Sequence, residues 1–314
     1  MTKFRSGTIA ILGKPNVGKS TLVNALLGQK IAAVSPRPQT TRRRQLGILT
    51  LPIAQLVFVD TPGIHTPRHK LGPFFNQEAE EALDGVDVVL FLVDASHEPD
   101  EEDRQVADLL AGLLPPLRSG SATQRRKPDM LIGLNKIDLA PQTVLAARRA
   151  VYQALVPDAP LLPLSAARGD GKAELLSALI ARLPVRPPEF PEDQVTDQYE
   201  REIAAEMIRE AALIYLQQEV PHALAVRLDE FTERGEAGAY IAATLFVERE
   251  SQKGIVIGDA AAMLKKIGSA ARKEIESMSG RKVYLELRVK VAKDWRNDEA
   301  ALRRFGYKLN RKKR

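Results

Sequence analysis

The sequence predicts an α/β domain built on a mostly parallel sheet with helices on both faces, followed by a smaller α+β domain. Three observations carry this. Through residues 1–185, short aliphatic runs without polar alternation are interleaved with helical patterns, which is how strands buried on both faces read. Residues 184–198 (PVRPPEFPEDQVTDQ) are rich in proline, the chemistry of a connecting segment. Beyond them the order becomes one helix, two strands, two helices and a closing strand. The chain of 314 residues suits two domains at about 100–200 residues each. The boundaries read as 1–185 for the first domain, 186–199 for a linker and 200–314 for the second.

In the first domain, residues 8–12 (TIAIL), 55–59 (QLVFV), 86–93 (VDVVLFLV), 130–134 (MLIGL) and 161–164 (LLPL) read as buried strands. Helical patterns lie near 20–27, 74–83, 103–113, 144–155 and 173–183, and a polar loop with a basic tip covers 117–127. In the second domain, Ile203, Met207, Ile208, Ala211 and Ile214 form a helical stripe within 200–217. Strands are predicted at 223–231, 239–247 and 283–291. A short segment at 254–258 (GIVIG) and a helix over 260–277 lie between the last two.

Composition narrows the function. A hydrophobic content of 44% excludes a disordered chain, and the absence of cysteine excludes a disulfide scaffold, a thiol nucleophile and a Cys-ligated metal. No apolar run reaches the roughly 18 residues of a membrane span, and the first residues lack a signal-peptide pattern, so a soluble cytoplasmic protein is expected. Residues 286–314 hold 11 Lys and Arg against 4 Asp and Glu, whereas the whole chain carries +6. A cationic end on a near-neutral body suits a polyanion, either nucleic acid or an anionic membrane surface. A solubilising tail at 308–314 (KLNRKKR) is the plain alternative.

Gly13-Lys14-Pro15-Asn16-Val17-Gly18-Lys19-Ser20, with Thr21 following, fits G-x-x-x-x-G-K-[ST] between a predicted strand and helix. There, glycines turn backbone N–H groups toward phosphates at the positive end of a helix. Lys19 would reach the β- and γ-phosphates and Ser20 would ligate Mg²⁺. Asp60-Thr61-Pro62-Gly63 ends the next strong strand. Asp60 suits Mg²⁺ contact through water, and the Gly63 N–H can meet the γ-phosphate. Asn135-Lys136-Ile137-Asp138 ends a later strand. Asp138 can accept bonds from guanine N1–H and N2–H₂, which adenine cannot supply. Asn135 can bond the base N7, and the Lys136 stem can cover the ring. Ser165 and Ala166, after the last strand, can offer backbone N–H to guanine O6. Each motif closes a strand's C-terminal end, and together they predict a site for GTP or GDP with Mg²⁺.

Thr40 and Thr41 lie in a polar, prolyl stretch (35–44, SPRPQTTRRR) suited to a switch whose hydroxyl joins Mg²⁺ only beside a γ-phosphate. Thr41, directly before the arginines, is preferred. Lys19, Thr41 and Gly63 are therefore the expected catalytic positions, with Ser20, Thr41 and Asp60 around the metal. His65 and His69 are four apart, but Pro67 breaks the helix that would align them, so they read as switch-loop residues.

With QTTR at 39–42, SAARGDG at 165–171, PEDQVTD at 191–197 and VKVAKDW at 289–295, the chain resembles the Era family of GTPases over nearly its whole length. Residues 248–258 and the LKKIG…AR pattern after them resemble that family's type II KH domain. The resemblance implies a P-loop GTPase domain joined to an RNA-binding domain. It also implies conversion of GTP to GDP and phosphate, and binding near the 3′ end of small-subunit (16S) ribosomal RNA. A role in small-subunit assembly and rRNA maturation, a monomeric state and peripheral association with the inner membrane face follow from the same resemblance. Gly254, Ile257, Gly258, Lys265, Lys266 and Arg272 are the implied RNA contacts.

Two departures qualify it. The G-x-x-G clamp of KH domains stands here as Gly258-Asp259-Ala260-Ala261. A Cβ at 261 could block backbone approach and Asp259 would repel phosphate, or Ala261 simply begins a helix. The position that holds a water-orienting Gln in Ras-like proteins is Ile64, which predicts slow intrinsic hydrolysis aided by other groups or a partner. Asn16 resembles the phosphate-loop asparagine of potassium-activated GTPases, implying K⁺ as a further cofactor; the alternative is that it only stabilises the turn. A nearly inactive GTP-dependent RNA scaffold and a membrane-surface signalling GTPase are the rival readings.

Overall fold

The computed structural model describes residues 3–35, 44–63, 77, 81–112, 128–233, 235, 238–305 and 307. Thr40, Thr41, Ile64, His65, His69, the loop at 117–127 and the tail at 308–314 lie outside them, as does most of the helix expected at 74–83.

The first unit is a six-stranded sheet in the order β2-β3-β1-β4-β5-β6. Its strands are β1 (Arg5–Leu12), β2 (Gln45–Leu51), β3 (Ala54–Asp60), β4 (Val88–Asp94), β5 (Asp129–Asn135) and β6 (Leu161–Pro163). All pairings are parallel except β2 with β3. β3 and β4 are buried at every position, as their unbroken aliphatic runs require when both faces are covered. The covering helices are α1 (Lys19–Leu27), α2 (Glu101–Gly112), α3 (Gln142–Leu155) and α4 (Lys172–Arg182). One core layer joins Phe91, Val93, Val106, Ile132, Leu134 and Tyr152.

β2 adds a strand to those that the sequence predicts. It is an edge strand in an antiparallel hairpin with β3, and only part of it is buried. The proline-rich segment after α4 is a second correction, because it is not a free linker. Glu189 N and Phe190 N donate to Gln55 Oε1 at 2.8 and 3.0 Å, and Gln55 Nε2 returns a bond to Phe190 O at 2.8 Å. Further along, Ile48 N donates to Val195 O at 2.7 Å. The segment thus supplies partners for β2, whose outer edge would otherwise be unpaired, and the first unit runs to Asp197.

The second unit is an antiparallel–parallel sheet β7-β8-β9, formed by Ala225–Glu233, Ala239–Val247 and Val283–Val291. It packs with α5 (Glu200–Tyr215), α6 (Glu250–Ile257) and α7 (Ala262–Ser279) around a core of Ile208, Ile241, Leu245, Val256, Ile267 and Ile275. A short helix missed in the sequence, α8 (Glu299–Arg304), is N-capped by Asp298, whose Oδ1 accepts from Ala300 N at 2.9 Å. It brings Phe305 against Phe246 and Trp295, with ring centroids 4.8 and 5.2 Å away, and the fully buried Trp295 donates to Ala223 O at 2.8 Å. Among the described residues no helix is long and apolar enough to cross a membrane.

Candidate nucleotide site and nucleic-acid surface

The loop after β1, the end of β3, the end of β5 and the loop after β6 meet at the C-terminal edge of the first sheet. Gly18 holds φ 102 and Asn16 φ 64, so the loop between Gly13 and Lys19 uses left-handed backbone twice. Gly18 abuts the Asn135 amide, leaving no room for a Cβ. Lys19 is 6% exposed, and its Nζ donates to Gly13 O and Lys14 O at 3.0 Å each. Burial lowers its pKa to about 8, against the pull of the Asp60 charge. At neutral pH the group is still mainly an ammonium, and an arriving phosphate would stabilise that charge further. Ser20 Oγ donates to Asp60 Oδ2 at 2.7 Å, with Asp60 fully buried. Two hard oxygen donors side by side next to a phosphate loop fit Mg²⁺. Thr61 Oγ1 donates to Ile11 O at 2.8 Å, and a Cβ on Gly63 would come within 2.6 Å of Pro15 N. The DTPG turn therefore lies directly on the phosphate loop, which is why position 63 cannot carry a side chain.

Asn135 ties three loops together. Its Nδ2 donates to Val17 O at 2.7 Å, and its Oδ1 accepts from Ala166 N at 2.9 Å. The sequence assigned it to the base N7; here its amide joins the phosphate loop to the Ser165–Ala166 turn. Lys136, at φ 61, places Nζ 2.6 Å from Asp94 Oδ2. Burial works against the Asp94 carboxylate, but the Lys136 and Ser96 bonds outweigh it and hold its pKa below the ordinary 3.8. Asp138 is half-buried, with Arg168 Nε 3.9 Å away, and Ser165 Oγ accepts from Arg168 N at 3.2 Å. Lys14 departs from its assignment. Its side chain turns into the protein toward Asp100 and Asp103, so only its backbone faces the phosphate loop's interior.

In the second unit, Gly254 and Ile257 belong to α6, while Gly258, at φ 69, ends it. Ala261 does not begin the next helix. It caps α7 at φ 63, and Ala260 before it holds φ 47. The turn keeps the left-handed backbone that a second glycine would favour, with alanines in place. Lys265 and Arg272 are exposed seven positions apart on α7, hence on one helical face. Lys266 leaves that face: its Nζ lies 4.4 Å above the Tyr215 ring, in a cavity also lined by Glu210 and Lys273.

Residues 8–133 match the family model of the 50S ribosome-binding GTPase, and 219–296 that of the KH domain. GTPase Era of Geobacter metallireducens is 47% identical over 305 residues, spanning 97% of this chain and 98% of that protein. This chain belongs to the Era GTPase family. It is accordingly a GTPase, hydrolysing GTP through a P-loop domain joined to a KH domain. A crystal structure of Era in complex with MgGDPNP and nucleotides 1506–1542 of 16S ribosomal RNA superposes with a TM-score of 0.87 at 38% identity, covering 98% of this chain and all of that one. A variant of Aquifex aeolicus Era bound to GDP·AlF₄⁻ gives the same TM-score, identity and coverage.

Proposed function

We propose that the chain is a Mg²⁺-dependent GTP switch that binds the 3′ region of small-subunit ribosomal RNA through its KH domain and assists subunit assembly in the cytoplasm. One observation carries the reading. Backbone N–H groups of the phosphate loop, the Ser20–Asp60 oxygen pair and the Asn135–Asp138 strand end converge at one edge of a sheet, in a chain whose second unit is a KH domain. Likeness over the full length to an Era that was crystallised with this RNA supports the choice of partner.

Within that site, the Gly13–Ser20 backbone cradles the phosphates, and Lys19 exchanges its bonds to Gly13 O and Lys14 O for phosphate oxygens. Ser20, Asp60 through a water, and Thr41 once GTP is present would hold Mg²⁺, which would supply positive charge to the phosphates. Gly63 N–H orients toward the γ-phosphate, and Asp138 reads the guanine edge. Asn16, whose backbone is left-handed at φ 64, resembles the phosphate-loop asparagine of potassium-activated GTPases, and K⁺ bound there would add positive charge. With Ile64 after the DTPG turn, no side chain there can orient water by hydrogen bonding, so turnover is slow until RNA or a partner completes the site.

The test is GTP turnover in K⁺ and Na⁺ buffers, with and without an RNA oligomer copying the 3′ end of small-subunit ribosomal RNA. Stimulation by that oligomer and not by a scrambled one is expected. Equal turnover with both oligomers would remove the RNA-coupled switch, and equal rates in K⁺ and Na⁺ would remove the K⁺ assignment.

A further inference from the structure

Lys14 stands second in the phosphate loop, where a lysine could reach a phosphate or solvent, yet it is only 8% exposed. Its Nζ lies 2.6 Å from Asp100 Oδ2 and 2.6 Å from Asp103 Oδ2. Those carboxylates cap α2 reciprocally: Asp103 N donates to Asp100 Oδ1 at 3.1 Å, and Asp100 N donates to Asp103 Oδ2 at 3.1 Å. Asp103 is completely buried, so its charge needs a cation as well as the helix end. The contacts continue. Tyr152 Oη approaches Asp103 Oδ2 at 3.5 Å and donates to Asp94 O at 3.0 Å, and the Asp94 carboxylate holds Lys136 of the base-reading strand end. An unbroken chain of polar contacts thus runs from the second residue of the phosphate loop to the lysine of the guanine motif.

Burying an ammonium against two carboxylates is a poor way to add stability, since desolvation offsets most of the attraction, but it fixes geometry closely. What it fixes here is the backbone of residue 14, whose carbonyl, with that of Gly13, receives Lys19. We propose that Lys14 is a positioning residue for GTP: clamped by Asp100 and Asp103, it sets the start of the phosphate loop and so the place from which Lys19 and the loop N–H groups meet the nucleotide. This rests on the reading of Lys19 as the phosphate-binding lysine.

The test compares Lys14→Met, Lys14→Arg, Asp103→Asn and the double variant Lys14→Met/Asp103→Leu in the full chain. Release of a fluorescent GDP and the thermal midpoint without nucleotide are measured for each. Lys14→Met, which removes the bonds to both Asp100 and Asp103, is expected to release GDP about tenfold faster or more, and Lys14→Arg to stay within about threefold of the parent. The double variant, which removes the ammonium and the buried Asp103 carboxylate and leaves the half-exposed Asp100, should recover part of the thermal stability without recovering GDP retention. Recovery of both together, or parental release by Lys14→Met, overturns the proposal. Should the double variant not fold, Asp103→Asn decides: it leaves Asp100 to hold the ammonium, and release at least about threefold faster with an unchanged midpoint is expected, whereas unchanged release overturns the role. A Lys19→Ala control separates the two readings. If it hydrolyses GTP normally, the phosphate-loop assignment itself falls; if it is inactive while Lys14→Met behaves as the parent, only the positioning role does.

Discussion

At the phosphate loop, left-handed backbone at Asn16 and Gly18 is held by side chains arriving from distant parts of the chain: Asn135 on Val17 O, and Asp103 on the Lys14 ammonium. The turn at 258–261 in the second unit also carries left-handed residues, Ala260 and Ala261, but no side chain caps it, and Asp259 and Ala260 are exposed. The first loop is preorganised by buried bonds that satisfy its backbone groups. The second keeps its shape at the cost of strain in two alanines. A braced loop should fail when a brace is removed, and a strained one should gain when the strain is relieved.

The largest effect is expected at the brace with two ends. Asn135→Ala strips partners from Val17 O and Ala166 N, and at about 1–2 kcal/mol for each buried group left unpaired it should weaken GTP binding roughly 100-fold in a titration with fluorescent nucleotide. Affinity within a few fold of the parent would mean that the loops hold their places without it.

Next comes Asp94. Its folded-state pKa lies below the ordinary 3.8, so its contribution is present above that value and is lost as pH falls through the lower folded value. Asp94→Asn should lower stability by about 1 kcal/mol at neutral pH and flatten the acid limb of the unfolding curve. An acid limb identical to the parent would show that the Lys136 bond is worth nothing.

On the strained side the sign reverses. Ala261→Gly should stabilise the protein by about 1 kcal/mol, because glycine accepts a φ of 63° that alanine resists and this outweighs its greater freedom when unfolded. Tighter RNA binding should accompany it, with the Cβ gone from the turn. Destabilisation in thermal melts would show that the alanine methyl is held by packing instead.

The smallest effect separates the lysines of α7. Lys265→Gln should lower the salt slope of RNA binding by about 0.7, one phosphate contact on a single strand. Lys266→Gln should change it less, since that ammonium already sits over Tyr215. Equal slopes for the two variants would place both on the RNA.

Much of this was legible in the chain because it is local. Unbroken aliphatic runs marked β1, β3, β4 and β5, and the motifs at 13–20, 60–63, 135–138 and 165–166 each closed one of the predicted strands, which is enough to place a guanine-nucleotide site at one sheet edge. The helical stripe of α5 and the order of the second unit were readable for the same reason. Where the reading failed, the deciding partner lay far along the chain. β2 becomes a strand by pairing with β3 on one side and with residues 195–196 on the other, and nothing within Gln45–Leu51 announces either. The proline-rich segment is anchored by Gln55, about 135 positions away, and α8 gains its place because Trp295 and Phe246 offer Phe305 a face.

The sequence by itself determined the strand order of types, the phosphate and guanine motifs and the cationic end, since each depends on residues within one turn, strand or short loop. Only the tertiary structure decided where Lys14 points, which loops Asn135 joins and that Ala261 lies outside the helix. Hydrogen bonds and ion pairs in a buried site are won by whichever group the packed chain brings within about 3 Å, and residue order along a strand carries no record of that distance.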